Sequence, residues 1–336
     1  MEASTDRRVV TLKDVALASG VSISTVSRIL DERTPSSRSE TARRVREIAD
    51  TLGYRRNMNA SSLRRGATGT IGVLVPRLTD TVMALMFEAV ELAARGRGQF
   101  AVVATCGDEP EDEARATETL LDRGVDGLIL ATARLDDALP ASLRERRIPH
   151  ALVLRTDGAS PSSLGDDEAG GYLAARHLLD LGHRDIAVIT GPWFTSSARA
   201  RLDGARGALR EAGIELDDER IVSGGYGIDD GMAAGRDLLT RDDRPTAIFA
   251  ANDNIAIGVC SVAQSLGLAV GEQISVVGYN DIPLAARLPV PLTTVRTPFE
   301  LIAATALELV LAGPDAGPAV RRAMPSLIPR SSTARP

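Results

Sequence analysis

The sequence predicts two kinds of structure in one chain: an all-α helix-turn-helix head, and behind it an α/β body of doubly wound parallel sheets. Three observations predict this. Charge is split along the chain. Residues 1–66 hold 13 Lys+Arg against 8 Asp+Glu, a net of +5, and the remainder holds 26 against 37, a net of −11. Residues 11–30 read as two short helices joined by a glycine-containing turn. From Thr70 onward, short apolar runs alternate with longer segments of helical period.

In the head, Thr11 followed by Asp14 fits a capping box, and Val15, Ala16 and Ala18 continue a helix that Gly20 stops. Ser22 caps a second helix through Val26, Ile29 and Leu30. In a helix-turn-helix the second helix lies in the major groove of DNA, and its N-terminal residues meet base edges. Those residues here are Ser22, Ile23, Ser24, Thr25, Ser27 and Arg28, short, polar or cationic, while Val21, Val26, Ile29 and Leu30 pack inward. A third helix over about Ser39–Leu52 puts Val45, Ile48, Ala49 and Leu52 on one side and Arg43, Arg44 and Arg46 on the others. Either Ser37 or Ser39 caps it. A basic head on an acidic body points to a nucleic-acid contact at the N-terminal end.

In the body, strands are expected at Thr70–Pro76, Phe100–Cys106, Val125–Thr132, Ala151–Arg155, Ile186–Thr190, Thr246–Ala251 and Ile274–Tyr279. Helices are expected between them, among them Met83–Arg95, Glu168–Leu181, Ala198–Ala212 and Asn254–Leu266. The series is too long for one open sheet of ordinary size, so two sheets follow. Ligands of such sheets bind beyond the carboxyl ends of strands, and Asp253 stands there, between an apolar run and a helix, where it also suits a helix cap.

Several classes are excluded. Cys106 and Cys260 follow no metal or redox spacing and read as core residues. Three histidines, His150, His177 and His183, form no metal motif. Gly224-Gly225-Tyr226-Gly227 is neither a dinucleotide fingerprint nor a P-loop, and no GxSxG elbow occurs. No cofactor is implied. Met1–Arg8 carries charges without an apolar core, and no run approaches the ~18 apolar residues of a membrane span. A cytoplasmic protein is expected.

The string Thr11-Leu-Lys-Asp-Val-Ala-Leu-Ala-Ser-Gly-Val-Ser-Ile-Ser-Thr-Val-Ser-Arg28, with Thr41, Ala42-Arg-Arg-Val45 and Leu52-Gly-Tyr54 after it, strongly resembles the head of the lac-repressor/gal-repressor family of bacterial transcription regulators. Leu181-Gly-His-Arg184, Ala251-Asn-Asp253, Ser275-Val-Val-Gly-Tyr279 and Pro291-Leu-Thr-Thr-Val295 extend the resemblance through the body. It implies a head at 9–56, a hinge helix and linker at 57–68, and a two-lobed, periplasmic-binding-protein-like effector domain at 69–330. Lobe one is then about 69–165 and 298–324, and lobe two about 166–295 and 325–330, with three crossings between them. The hinge stretch Asn57-Met-Asn-Ala60-Ser-Ser-Leu63 implies DNA contacts by Asn57 and Ala60, with Leu63 as an apolar wedge in the minor groove. Thr11 joins the DNA-contacting set.

For the effector, the resemblance implies Arg201 and Asp253, with Asp80 and Met83 after the first strand and Asn280 and Arg155 at strand ends. The chain departs from the family in five places, one of them the stretch Glu32 to Ser39, about one residue longer than usual. Asp80-Thr-Val-Met83 replaces an aromatic run that stacks on sugars. Arg155 stands where Asp or Asn is frequent, and Asn280 where Asp is. Arg56 replaces a proline. Trp193 and Phe194 offer a replacement aromatic wall. A polar or anionic effector is expected rather than a plain pyranose. Together these imply an effector-controlled repressor that binds a near-palindromic double-stranded DNA operator as a homodimer. A transport-type solute-binding protein is opposed by the basic head, and an enzyme by the absence of a catalytic motif.

Overall fold

The structure, a computed structural model, describes residues 10–30, 39–54, 67–314, 317 and 319–336. The chain divides into two compact units, Met1–Thr68 and Gly69–Pro336.

The first unit holds α1 (Leu12–Ser19), α2 (Ile23–Ile29) and α3 (Glu40–Thr51). The Thr11 backbone N–H and hydroxyl both donate to the Asp14 carboxylate, at 2.8 and 2.7 Å. Gly20, at φ +66°, ends α1 in the left-handed conformation that suits glycine. Ser22 caps α2 by accepting from the Thr25 N–H. The cap of α3 is Ser39, which accepts from Ala42 N–H at 3.2 Å; Ser37 lies outside the described residues. Val15, Ala16, Val26, Val45 and Ala49 form the core that joins the three helices. Arg44 donates to the Ser19 carbonyl at 2.8 Å and so satisfies an otherwise open end of α1.

The second unit starts with β1 (Thr70–Val75), α4 (Thr81–Gly96), β2 (Phe100–Thr105), α5 (Pro110–Asp122), β3 (Gly127–Leu130), α6 (Ala138–Glu145), β4 (His150–Val153) and β5 (Ser162–Gly165). It continues with α7 (Asp167–Leu181), β6 (Ile186–Thr190), α8 (Ser196–Glu211), β7 (Ile221–Ser223), α9 (Ile228–Leu239), β8 (Ala247–Ala250), α10 (Asp253–Ser265), β9 (Ser275–Asn280) and β10 (Thr293–Arg296). It closes with α11 (Phe299–Leu311), β11 (Val320–Ala323) and β12 (Ser326–Ile328). Two six-stranded sheets result, ordered β11-β5-β4-β3-β1-β2 and β12-β10-β9-β8-β6-β7. Every pairing is parallel except β10 with β12. Among the described residues the chain passes between the lobes three times, at Asp166, at Thr297–Pro298 and at Met324–Pro325.

Strands buried on both faces read as continuous apolar runs, which is why β1, β6 and β9 fall where expected. Most bounds are trimmed by a residue or two; the run Val125–Thr132 pairs only over Gly127–Leu130. His183, in the loop after α7, is buried. Its Nδ1 lies 2.9 Å from the Thr246 hydroxyl and its Nε2 3.0 Å from the Ser275 hydroxyl and 2.9 Å from the Ala334 carbonyl. Ser332 donates to the Val276 carbonyl and accepts from the Thr293 N–H. The last residues thus seal the edge of lobe two.

Helices α7 and α8 cross at backbone distance. A Cβ on Gly171 would overlap the Arg201 carbonyl, and one on Gly204 would overlap the Glu168 carbonyl. Gly171→Ala therefore forces the helices apart and is expected to destabilise lobe two by about 2 kcal/mol. Urea unfolding followed by fluorescence of Trp193, the chain's single tryptophan, measures it; an unchanged midpoint would contradict the crossing.

Candidate functional site

In the first unit, α2 exposes Ser22, Ile23, Ser24 and Arg28, with Thr25 and Ser27 half-buried and Val26 buried. Ile23 is 42% exposed, high for a branched apolar side chain in so small a core. The Ser22 hydroxyl lies 2.8 Å from those of both Ser24 and Thr25. Thr11 is exposed at the start of α1. The expected hinge residues Asn57, Ala60 and Leu63, and Arg56 beside them, lie outside the described residues.

In the second unit, a cleft opens where strands of both sheets end. Lobe one contributes Asp80, Val82 and Met83 from the start of α4, and Leu154 and Arg155 from the turn after β4. Lobe two contributes Ser197 and Arg201 from α8, Tyr226 from the loop after β7, Asn252 after β8, and Asn280 at the end of β9. Every lining residue follows the carboxyl end of a parallel strand, the place where helix N-termini and loops converge.

The polar groups of the lining other than Arg155 are held by fixed partners. Asp80 caps α4 by accepting from Val82 N–H at 2.9 Å. Burial raises its carboxyl above the ordinary range, against the lowering effects of that bond and of Arg155. Arg201 is buried, donates to Asp167 at 2.8 Å and to the Ala251 carbonyl at 2.5 Å, and lies 3.7 Å over the Tyr279 ring. Burial is the largest effect and disfavours its charge, but Asp167, Tyr279 and Tyr226 together hold the guanidinium above its ordinary value. Asn252 caps α10 through Ile255 N–H and donates to the Tyr226 carbonyl. The Tyr226 hydroxyl lies 2.9 Å from that of Thr195 and 3.2 Å from that of Ser197. Asn280 accepts from the Thr297 hydroxyl at 3.1 Å.

Five expected residues, Asp80, Met83, Arg155, Arg201 and Asn280, thus line one cleft, and two do not. Trp193 is 46% exposed and absent from the lining. Its loop leans across to lobe one instead: Leu135 N–H donates to the Phe194 carbonyl at 2.9 Å, and the Arg134 guanidinium stacks 3.7 Å over the Phe194 ring. Tyr226 is the aromatic of the cleft. Asp253 has no exposed surface and sits behind the lining. Its carboxylate accepts from Thr294 at 2.6 Å and from Ile282 N–H at 2.8 Å, so it braces the loop after β9 while its neighbour Asn252 faces the cavity. Of the residues the sequence did not single out, Asn252 stood beside Asp253, Ser197 lies four residues before Arg201, and Leu154 preceded Arg155. Val82 stood between Asp80 and Met83, and Tyr226 lay in a glycine-rich loop set aside for lacking a phosphate motif. Among the described residues no group of His, Cys, Asp and Glu forms a metal site, and no helix is long and apolar enough to cross a membrane.

Residues 11–57 match the model for bacterial regulatory proteins of the lacI family, and residues 175–333 match the model for a periplasmic binding protein-like domain. Over 306 residues the chain is 34% identical to the ribose operon repressor of Escherichia coli strain K12, covering 90% of this chain and 92% of that one. The chain belongs to the lacI family. The transcriptional repressor PurR of Vibrio vulnificus is 33% identical over 307 residues, covering 90% and 91%. The fold is also similar to that of a lac repressor dimer bound to operator and the anti-inducer ONPF, with a TM-score of 0.86 at 29% identity, covering 97% of this chain and 100% of that one. Like its lacI-family relatives, this protein is a DNA-binding transcription regulator with a two-lobed α/β body, and not an enzyme.

Burial pushes the Asp253 carboxyl up to about 7, against the lowering effect of the Thr294 and Ile282 bonds. A carboxyl whose folded-state value exceeds its unfolded value holds its proton more tightly when folded. Its contribution to stability is complete below about pH 4 and is lost as pH rises through about 7. Asp253→Asn keeps both partners without a charge. The stability of the variant relative to the native protein should rise between pH 4 and pH 8, by an amount on the order of a few kcal/mol. Urea titrations at several pH values read this, and a difference independent of pH would contradict it.

Proposed function

We propose that this protein is a homodimeric repressor of a near-palindromic double-stranded DNA operator, and that a small polar metabolite held between the lobes controls its operator affinity. The observation that carries the reading is the exposed row Ser22, Ile23, Ser24 and Arg28 on α2, in a chain of the lacI family. Two heads related by a two-fold axis read two half-sites. The Arg28 guanidinium fork suits the paired acceptors of a guanine edge, and Ile23, which forms no hydrogen bond, suits a thymine methyl. Ser22 and Ser24 complete the base-facing surface. Thr11, Thr25 and Ser27 carry hydroxyls suited to phosphate oxygens. Asn57, Ala60 and the wedge Leu63 act at the operator's centre. The arginines and Lys13 neutralise phosphates, so affinity falls steeply with salt.

The effector occupies the cleft. Asp80, Arg155, Arg201, Asn252 and Asn280 supply converging donors and acceptors, and Val82, Met83 and Leu154 supply apolar contact, the mixture typical of a small-molecule site. Such a ligand shifts operator binding only by favouring one arrangement of the lobes over another. The protein acts in the cytoplasm, where its operator is, and needs no cofactor.

Arg28→Ala is expected to lower affinity for the selected operator tenfold to a hundredfold, about 1–3 kcal/mol, and affinity for random duplex only a few-fold at the same salt. Fluorescence anisotropy with both duplexes checks it. Equal losses on the two would remove Arg28 from base recognition.

A further inference from the structure

Arg155 is the anomaly of the cleft. The residue is 8% exposed. Buried arginines normally meet a carboxylate or several carbonyl oxygens, because an unpaired buried charge is costly. Arg201, across the cavity, follows that rule with Asp167 and Ala251. Among the described residues Arg155 has neither an ion pair nor a hydrogen bond; its direct partner is the face of the Tyr226 ring, 5.3 Å from the guanidinium carbon. A ring face gives the cation something to lie against but accepts none of its N–H groups, which stay directed at the cavity.

The nearest acids do not close this gap. Asp80, on the same wall, is within reach of Arg155's charge but not within ion-pairing distance, and one of its oxygens is committed to Val82 N–H. Glu113 is turned to the Thr132 hydroxyl, and burial raises its carboxyl to about 7, so it is only partly charged at neutral pH. The cleft therefore offers an uncommitted planar fork of donors and, on the same wall, the Asp80 carboxyl, which the Val82 and Met83 N–H groups hold at the start of α4. A guanidinium fork matches the two oxygens of a carboxylate or phosphate. A carboxylate acceptor matches a hydroxyl.

We propose that the effector is a small hydroxylated anion, whose carboxylate or phosphate group pairs with Arg155 while a hydroxyl donates to Asp80. The proposal rests on the cleft being the effector site.

Calorimetric titration of the full-length protein at matched ionic strength tests it, with three probes: inorganic phosphate, glycolate as a minimal hydroxylated carboxylate, and neutral D-ribose. Phosphate or glycolate should bind saturably, at least tenfold more weakly to Arg155→Gln, with part of the affinity kept by Arg155→Lys. Binding of phosphate alone assigns a phosphate group, and binding of glycolate alone a carboxylate. The proposal is overturned if neither anion binds saturably, or if Arg155→Gln binds them as tightly as the native protein. Met83→Trp, which fills the cavity, separates this outcome from failure of the site itself; Ser197→Phe serves if that variant does not fold. Anion binding that survives a filled cavity overturns both readings. Ribose binding that the filled cavity abolishes and Arg155→Gln leaves unchanged keeps the cleft as the effector site and overturns the anion.

Discussion

The ion pair between Arg201 and Asp167 is the constraint on which the cleft depends. Both residues are buried, and removing two charges from water costs several kcal/mol for each ion unless their remaining hydrogen-bonding capacity is met. Here the guanidinium also donates to the Ala251 carbonyl and stacks on Tyr279, so it touches two strand ends and one helix of lobe two at once. That position exists because α7 and α8 approach at Gly171 and Gly204. Asp167 is the first residue of α7, directly after the crossing at Asp166. The pair thus ties the wall of the cleft to a point where the chain passes from one lobe to the other, which is where a change in lobe angle must be absorbed.

The backbone around the cleft carries strain of a complementary kind. Leu154, Asn280 and Asp281 have φ of +63°, +103° and +57°, a region that costs a non-glycine residue about 1–2 kcal/mol. All three stand at the ends of β4 and β9, where the chain must turn sharply to bring Arg155 and Asn280 to the cavity. The turn at β9 is held by fixed partners: Asp281 accepts from Arg296 at 2.7 Å and from Arg330 at 2.6 Å, and Asn280 from Thr297. Strained residues held in this way are a mark of binding sites, whose groups must be placed before the ligand arrives.

Much of this was legible in the sequence, for reasons that differ from part to part. The head was readable because its signals are local: a capping pair, a glycine stop, a serine cap and a three-residue spacing of apolar positions. The central strands were readable because burial on both faces leaves an unbroken apolar run. Short strands were harder. Ser162–Gly165 and Ile221–Ser223 are short, partly polar and depend on a neighbouring strand that sequence alone does not supply. In the cleft, residues marked by charge at strand ends were found, but Trp193 and Asp253 were assigned to it and sit elsewhere. Loop direction decides the first, since the Phe194 loop is drawn to Arg134. Local competition decides the second, since Asn252 and Asp253 are adjacent and only one can face the cavity while the other braces Thr294 and Ile282. Tyr226 could not be found from its own surroundings; Gly191, where any side chain would meet its ring, is distant in sequence.

On the proposed function, a surface suited to duplex edges is controlled by a small molecule in the cleft. Selection of bound duplexes from a random pool by the full-length protein tests that link most directly, when run in parallel with and without a small-molecule extract of cells. The account predicts enrichment of a two-fold symmetric sequence with two half-sites, and a change in its yield when the extract is present. Recovery of a pool no different from the starting one in both arms would contradict it.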